Sequence, residues 1–505
     1  MRGESLKTYQ DFLQQGAGGD REAFILEAVR EHRLSPEYAV AVDADAYDRQ
    51  RNTTILRYQK LMYTMSGQAV PDNYSASYKL ASSFFNRFVT QLSQYLLGSG
   101  ISLDREENLR RLGREFDAQL QKAGRCALVD GVSFGFWNYN RLEVFRLTEF
   151  VPLYDEETGA LEAGIRFWQL DRDRPLRCTL YEADGYADYI RTGDGPLVLL
   201  RPKRPYKQTV QADGAGGEAV CGEENYPVFP IVPLWGNPNH QSELVGMKQC
   251  IDCYDLIKSG FANDIDDASM IYWTLENAGG MDDVSLAQFV ERMKTVKAAV
   301  VDGDAGARAE AHTLEVPYES RVAYLDRLRR DLYEDAQIVD VYSLASGQRT
   351  ATEINASYQP MDSKADQYEY CVRDFLAGIF AVAGIDDVPT FKRSRIANQK
   401  EQTQMVLMAA DYLDSETVLR HLPWLNQDEV EGVLRRKAAE DARQALLQLQ
   451  AESLDEGELQ ERTERLEQES RAAERQGSRL WQAQGGEPAQ EERQRPYPER
   501  GSNGI

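Results

Sequence analysis

Residues 225–280 read NYPVFPIVPLWGNPNHQSELVGMKQCIDCYDLIKSGFANDIDDASMIYWTLENAGG. The apolar run at 228–235, broken by Pro230 and Pro233, has the composition of a short strand. Gly236-Asn237-Pro238-Asn239 makes a turn, and no proline or helix stop follows for about thirty residues. Through that interval Leu244, Met247, Ile251, Tyr254, Ile257, Phe261 and Ile265 recur at threes and fours, on one face of a helix. Asp252, Asp255, Asp264, Asp266 and Asp267 fall on other faces. A helix over 242–270 is about 43 Å long, more than an ordinary globular domain needs. It calls for a partner.

The sequence supplies one at 318–340, where Val322, Leu325, Leu328, Leu332 and Val339 make an apolar stripe about 35 Å long. An ordinary helical hairpin inside a globular domain satisfies the same periodicity. Between the two helices, 271–317 changes character. Gly279-Gly280 breaks the chain, 285–293 is a short helix, and 298–302 and 313–316 are strand-like, so a small α+β insert is expected.

A chain of 505 residues buries several cores, and 42% apolar with 10% aromatic residues is a folded composition. No secretory pattern follows Met1, and the longest apolar run, 375–385, falls short of the roughly 20 residues of a membrane span. A soluble protein made in the cytoplasm, with no membrane partner, is the expectation. Cys250 and Cys253 have C-x-x-C spacing, but they lie within the helical pattern and no second pair accompanies them. They read as ordinary thiols in a reducing compartment.

Neither G-x-x-x-x-G-K-[ST] nor H-E-x-x-H occurs, and the acidic turns at 155–159 and 193–195 lack EF-hand spacing. No catalytic residue, metal or cofactor is expected. The formal net charge of −24 opposes a chain that grips nucleic acid by displacing counterions.

Elsewhere the chain alternates between helical and β-rich stretches. Residues 1–50 read as helical, with Phe24, Ile25, Ala28 and Val29 as a stripe, and 52–63 as a polar helix. Residues 77–97 carry Leu80, Phe84, Phe88, Leu92 and Leu96 at fours, ending at Gly98. From 126 to 200 the composition is that of strands and turns. Residues 341–360 read as a polar interhelical turn, with Thr350 or Thr352 able to cap the helix beyond. Helices follow at 362–383, 403–413 and 415–422, then a charged helix or weak coiled coil over 427–475 and a disordered composition over 476–505.

The Pro230-Ile231-Val232-Pro233 run, the Trp235-Gly236-Asn237 turn, and Asp252, Tyr254, Asp255, Ser259, Asn263 and Asp264 together resemble the portal proteins of long-tailed bacteriophages that infect Gram-positive bacteria. Tyr95-Leu96-Leu97-Gly98 and the β-rich order after Pro152 fit the same resemblance, which extends over roughly 40–430; Ser99-Gly100 stands where the family often has proline.

The resemblance implies an α+β, mainly helical portal fold: a wing over 1–241, a first stem helix at 242–270, a clip at 271–317 and a second stem helix at 318–340. A tunnel loop at 341–360, a helix leading to the crown at 361–394, a crown with its charged helix at 395–475 and the tail at 476–505 complete it. It further implies a ring of twelve copies at a capsid vertex of the virion, a channel for double-stranded DNA in packaging and ejection, and contacts with the terminase large subunit, a head-completion or adaptor protein, and the major capsid and scaffolding proteins. ATP hydrolysis then belongs to the terminase, not to this chain. An acidic lining would let DNA slide without being retained. Ser346, Gly347, Gln348, Arg349 and Thr350 become the tunnel-loop candidates, and Arg327, Arg329 and Arg330 the DNA-facing stem candidates. Pairing of those arginines with Asp326, Asp331, Glu334 or Asp335 on the same helix accounts for them equally. A helical adaptor or scaffolding protein without a channel is the competing function.

Overall fold

The computed structural model describes residues 7–16, 20–63, 67–72, 77–212, 218–268, 272–276, 308–312, 318–345, 350–393, 403, 406–408, 410, 412–422, 427–451 and 463–468. The chain divides into two compact units, Met1–Arg395 and Ile396–Ile505.

The first unit opens with helices α1 (Tyr9–Gly16), α2 (Arg21–Leu34), α3 (Pro36–Asp48) and α4 (Thr53–Arg57). Asp20 caps α2, and Ser35 caps α3 with Pro36 at its first position. The helix expected over 52–63 stops at Arg57, and Leu61–Tyr63 (β1) pairs with Ala69–Pro71 (β2). Helix α5 is Phe84–Leu97, followed by β3 (Ile101–Ser102), α6 (Glu106–Leu112) and α7 (Phe116–Asp130).

The β-rich part contains β4 (Val132–Asn138), β5 (Arg141–Arg146), β6 (Phe150–Tyr154), β7 (Leu161–Trp168), β8 (Leu176–Glu182), β9 (Gly185–Arg191), β10 (Leu197–Arg204), β11 (Lys207–Ala212), β12 (Glu218–Glu224) and β13 (Ile231–Trp235). Strands β6 to β10 form an antiparallel meander, while β13-β4-β5 make a second sheet and β11-β12 a hairpin of their own. Alternation places Ala187 and Tyr189 of β9 inward. With Ile165, Cys178 and Leu180 they form a core under α1 and α2, where Phe24 and Ile25 are fully buried. The meander's other face meets the three-stranded sheet through Phe134, Phe145, Phe150 and Tyr181, with Phe134 and Phe150 ring centroids 4.6 Å apart.

The long helices follow: α8 (Leu244–Ala268), the hairpin strands β14 (Tyr272–Glu276) and β15 (Arg308–His312), α9 (Tyr318–Asp335), α10 (Val341–Ala345) and α11 (Ala351–Ala383), with β16 (Thr390–Phe391) returning to pair with β3. The largest core joins α5, α7, the base of α8 and α11, around Leu96, Leu120, Ala127, Val372 and Leu376. Gly124 permits the closest approach there: a Cβ at that position would lie 2.2 Å from the Tyr368 hydroxyl. In the second unit the described helices include α12 (Ser415–Arg420), capped by Asp414, and α13 (Gln427–Ala451), and 463–468 is helical as well.

The fold class is α+β, as expected. The elements expected at 285–293, 298–302 and 313–316 and the tail at 476–505 lie outside the described residues, as do 452–462 and 469–475 of the charged helix.

Candidate functional site at the paired long helices

Helices α8 and α9 form the expected pair, antiparallel; α8 begins at Leu244 rather than 242, and α9 begins at Tyr318 as expected but ends at Asp335. Leu328 and Leu332 of α9 are buried. Near the far end Arg321 ion-pairs with Asp264, and the Phe261 and Tyr318 rings lie 5.6 Å apart. At the root Phe84 meets Tyr254 at 5.0 Å and Phe88 meets Tyr333 at 5.0 Å, so α5 wedges between the two. Aromatic edges against faces add to the area they bury.

The polar face of α8 holds the N-terminal segments. Asp252 accepts hydrogen bonds from Tyr47, from Thr54 Oγ1 at 2.8 Å and from Lys248 Nζ at 2.9 Å. Asp255, fully buried, accepts from Asn52 Nδ2 and from the Ser82 backbone N–H at 2.9 Å. Ser259 Oγ takes the Leu80 N–H at 2.9 Å and Asn263 Oδ1 the Tyr78 N–H at 2.6 Å. Three acceptors one turn apart thus engage every second N–H of residues 78–82. The match is physical: four helical residues rise about 6.0 Å, close to the two-residue repeat of an extended chain.

This corrects the helix expected over 77–97, which begins only at Phe84. The N–H groups of 78, 80 and 82 belong to side chains of α8 and cannot enter a helical ladder. Burial raises the Asp255 pKa, and the bonds from Asn52 and Ser82 oppose that rise.

Helix α9 ends earlier than expected. Gln337 has φ +56°, Ile338 N–H reaches the Tyr333 carbonyl at 3.1 Å and Gln337 N–H the Glu334 carbonyl at 3.1 Å. This is a Schellman motif with glutamine where glycine is usual. Beyond it Asp340 turns back on the helix and receives Arg329 Nη2 at 3.0 Å on both oxygens. Arg329 also lies over the Tyr342 and Tyr333 rings, at 5.1 Å and 5.7 Å. A groove of about 640 Å³ opens here, lined among others by Arg329, Arg330, Tyr333, Asp340 and Ser357.

The three arginine candidates on α9 therefore differ. Arg327 pairs with Asp331 one turn on, at 2.8 Å. Arg329 is taken by Asp340, outside the set of same-helix partners. Arg330 is exposed and makes no hydrogen bond or ion pair among the described residues.

Of the tunnel-loop candidates, Ser346, Gly347, Gln348 and Arg349 lie outside the described residues. Thr350 is the N-cap of α11, forming a capping box with Glu353. The interval 341–360, expected as a turn, is helical at Val341–Ala345 and again from Ala351, with Pro360 inside α11. Pro360 removes one ladder hydrogen bond from that helix.

Two features escaped the sequence reading. Lys364 of α11 ion-pairs with Glu243 before α8 and donates to the Ala336 carbonyl, 2.9 Å away, after α9. Gly131-Val132-Ser133-Phe134-Gly135 has G-x-S-x-G spacing, but Ser133 is fully buried and donates to the Ala123 carbonyl at 2.8 Å. It runs from helix into strand, the reverse of a nucleophile elbow, and its role is packing. Cys250 and Cys253 stand one turn apart on α8, where burial, then Asp335 and Asp331, raise the Cys250 thiol pKa.

Comparison with known proteins gives the family. The sequence pattern of the family described as "Phage portal protein, SPP1 Gp6-like" matches residues 42–453. The chain belongs to that family. It is 27% identical over 231 residues to a portal protein of Clostridium phage phiCD119, a match taking in 44% of this chain and 51% of the relative. The chain thus spans about half the length of that relative. To the portal protein of Bacillus phage SPP1 it is 23% identical over 417 residues, 75% of this chain and 79% of the relative. A chain of a solved gene transfer agent virion is similar at TM-score 0.40 and 12% identity, over 66% of this chain and 88% of that one.

Proposed function

We propose that copies of this chain assemble into a twelve-membered ring at one capsid vertex of the virion and form the channel through which double-stranded DNA enters and leaves. Helices α8 and α9 line the channel. The segment between them docks the terminase large subunit during packaging and a head-completion or adaptor protein afterwards. Residues 346–349 approach the DNA, and the major capsid and scaffolding proteins surround the ring. The chain assembles in the bacterial cytoplasm and catalyses nothing itself.

The observation that carries this reading is the charge of the long helical pair. Lys248 and Lys258 on α8 face five aspartates along the same helix, and the four arginines of α9 are outnumbered by its carboxylates. Arg321, Arg327 and Arg329 are each engaged by a carboxylate. Such a surface displaces few counterions from a passing duplex and does not hold it. Family membership favours this function over a helical adaptor. Electron microscopy of the purified full-length chain tests it: rings with an axial channel are expected, and a closed dimer without a channel would overturn it.

A further inference from the structure

Resting on the ring reading, we infer that strand β12 of one copy docks along the open edge of β10 in the next, joining the β-rich parts of neighbouring subunits. Strand β10 pairs with β9 alone among the described residues and ends the five-stranded sheet. Its Val198, Leu199 and Leu200 are 55%, 45% and 45% exposed, three consecutive apolar residues on an open edge. Soluble proteins blunt or cover such edges because they recruit other strands; Pro202 and the register shifts at Leu199/Arg201 and Arg201/Arg204 blunt the second half of β10, and 197–200 is the part left open for a main-chain partner.

The natural occupant is in the same chain. Strands β11 and β12 form a separate two-stranded sheet, a unit that is marginal in water without further support. At seven residues, β12 is close in length to the eight of β10.

Charge selects the pairing. Strand β10 carries Arg201, Lys203 and Arg204, whereas β12 carries Glu218, Glu223 and Glu224. Lys203 and Arg204 already lean on Glu182 and Asp188, at 3.0 Å and 2.8 Å. Arg201 stays largely exposed, 3.9 Å from Asp188, and is the cation able to reach outward. Glu223 and Glu224 are exposed. Parallel pairing of β10 with β10 would align its cations, antiparallel pairing of β12 with β12 would set Glu218 against Glu223 and Glu224, and β11 offers Lys207 rather than a carboxylate. The complementary contact joins two different edges, so it is heterologous and propagates around a ring rather than closing a dimer.

Leu199→Cys introduces a thiol on β10 to be bridged to the native Cys221 of β12. A short bis-maleimide is applied to a mixture of isotope-labelled and unlabelled full-length chain, at concentrations where electron micrographs are recorded. Peptides linking positions 199 and 221 with mixed isotopes are expected, and Cys221→Ser should abolish them. Arg201→Glu and Glu223→Lys should each lower ring yield about tenfold, and the two together should restore most of it, as matched charge pairs do across interfaces. Should Arg201→Glu misfold, Glu223→Lys on the exposed hairpin still reads the contact. Rings without the 199–221 link, or indifferent to both reversals, overturn this inference and leave the ring reading standing. Absence of both rings and link overturns the two together.

Discussion

The Ser259 hydroxyl accepts the backbone N–H of Leu80 from 2.9 Å, at the middle of a three-rung contact between α8 and the segment before α5. Asp255 and Asn263 supply the rungs on either side. A helix side-chain row here takes the place of a neighbouring strand, and the root of α8 is fastened to the core by hydrogen bonds as well as by apolar packing.

Removing the most buried rung should be costly. Asp255→Ala leaves the Ser82 N–H without its acceptor and the Asn52 amide with the Ser82 carbonyl alone, and should lower unfolding free energy by about 3 kcal/mol. Ser259→Ala, which leaves one N–H unpaired, should cost about 1 kcal/mol. Denaturant titration checks both, and equal effects would show that the rungs do not differ by burial.

Asp255 also predicts a pH dependence. Burial raises its pKa above the unfolded value, so as pH climbs through the carboxylate range the unfolded chain releases this proton first. Between the unfolded and folded values the native state binds more protons, and this group's contribution to stability falls as pH rises. The stability of wild type relative to Asp255→Asn should therefore decline with rising pH across that window. A difference that grows with pH would contradict it.

The end of α9 has room for improvement. Gln337 occupies the left-handed position of a Schellman motif, so Gln337→Gly should stabilise by roughly 0.5–1 kcal/mol, while Gln337→Val should destabilise. Thermal unfolding reads the sign directly.

Arg329 and Arg330 should separate cleanly. Arg329→Ala breaks the two-oxygen contact with Asp340 and should cost about 1 kcal/mol, with positive coupling to Asp340→Ala in a double-mutant cycle. Arg330→Ala should stay within about 0.5 kcal/mol of wild type, as an exposed side chain with no partner among the described residues does. If Arg330 faces DNA, that same variant should alter the salt dependence of DNA ejection from assembled particles, and Arg327→Ala should not.

Gly124→Ala should destabilise by about 2 kcal/mol, because the added methyl would overlap the Tyr368 hydroxyl and the Leu97 side chain, both in the tightly packed core. Differential scanning calorimetry of this variant against Gly432→Ala, where space is open, isolates the packing effect.

The long helices were legible because their apolar residues repeat at threes and fours over many turns, and the meander because its strands alternate between turn signals. What could not be read was where tertiary partners interrupt a pattern. Leu80 continues the stripe of Phe84 and Phe88, yet its N–H is claimed from a helix far along the chain. Asp340 lies beyond the helix whose arginine it binds, so same-helix spacing pointed Arg329 toward the wrong carboxylates. Lys364 sits among polar residues at ordinary spacing, and nothing local marks it as a bridge. The Asp255, Ser259 and Asn263 row was visible as a family resemblance, but the spacing alone did not say that it binds backbone.

Lys364 joins the residue before α8 to the carbonyl that follows α9, from a position on α11. Mechanically, one ammonium on α11 ties the roots of α8 and α9 together. A load applied to one is shared by its neighbour at the base, and neither slides along its axis without first releasing that ammonium. The tie sits one turn from Pro360, where the ladder of α11 is interrupted.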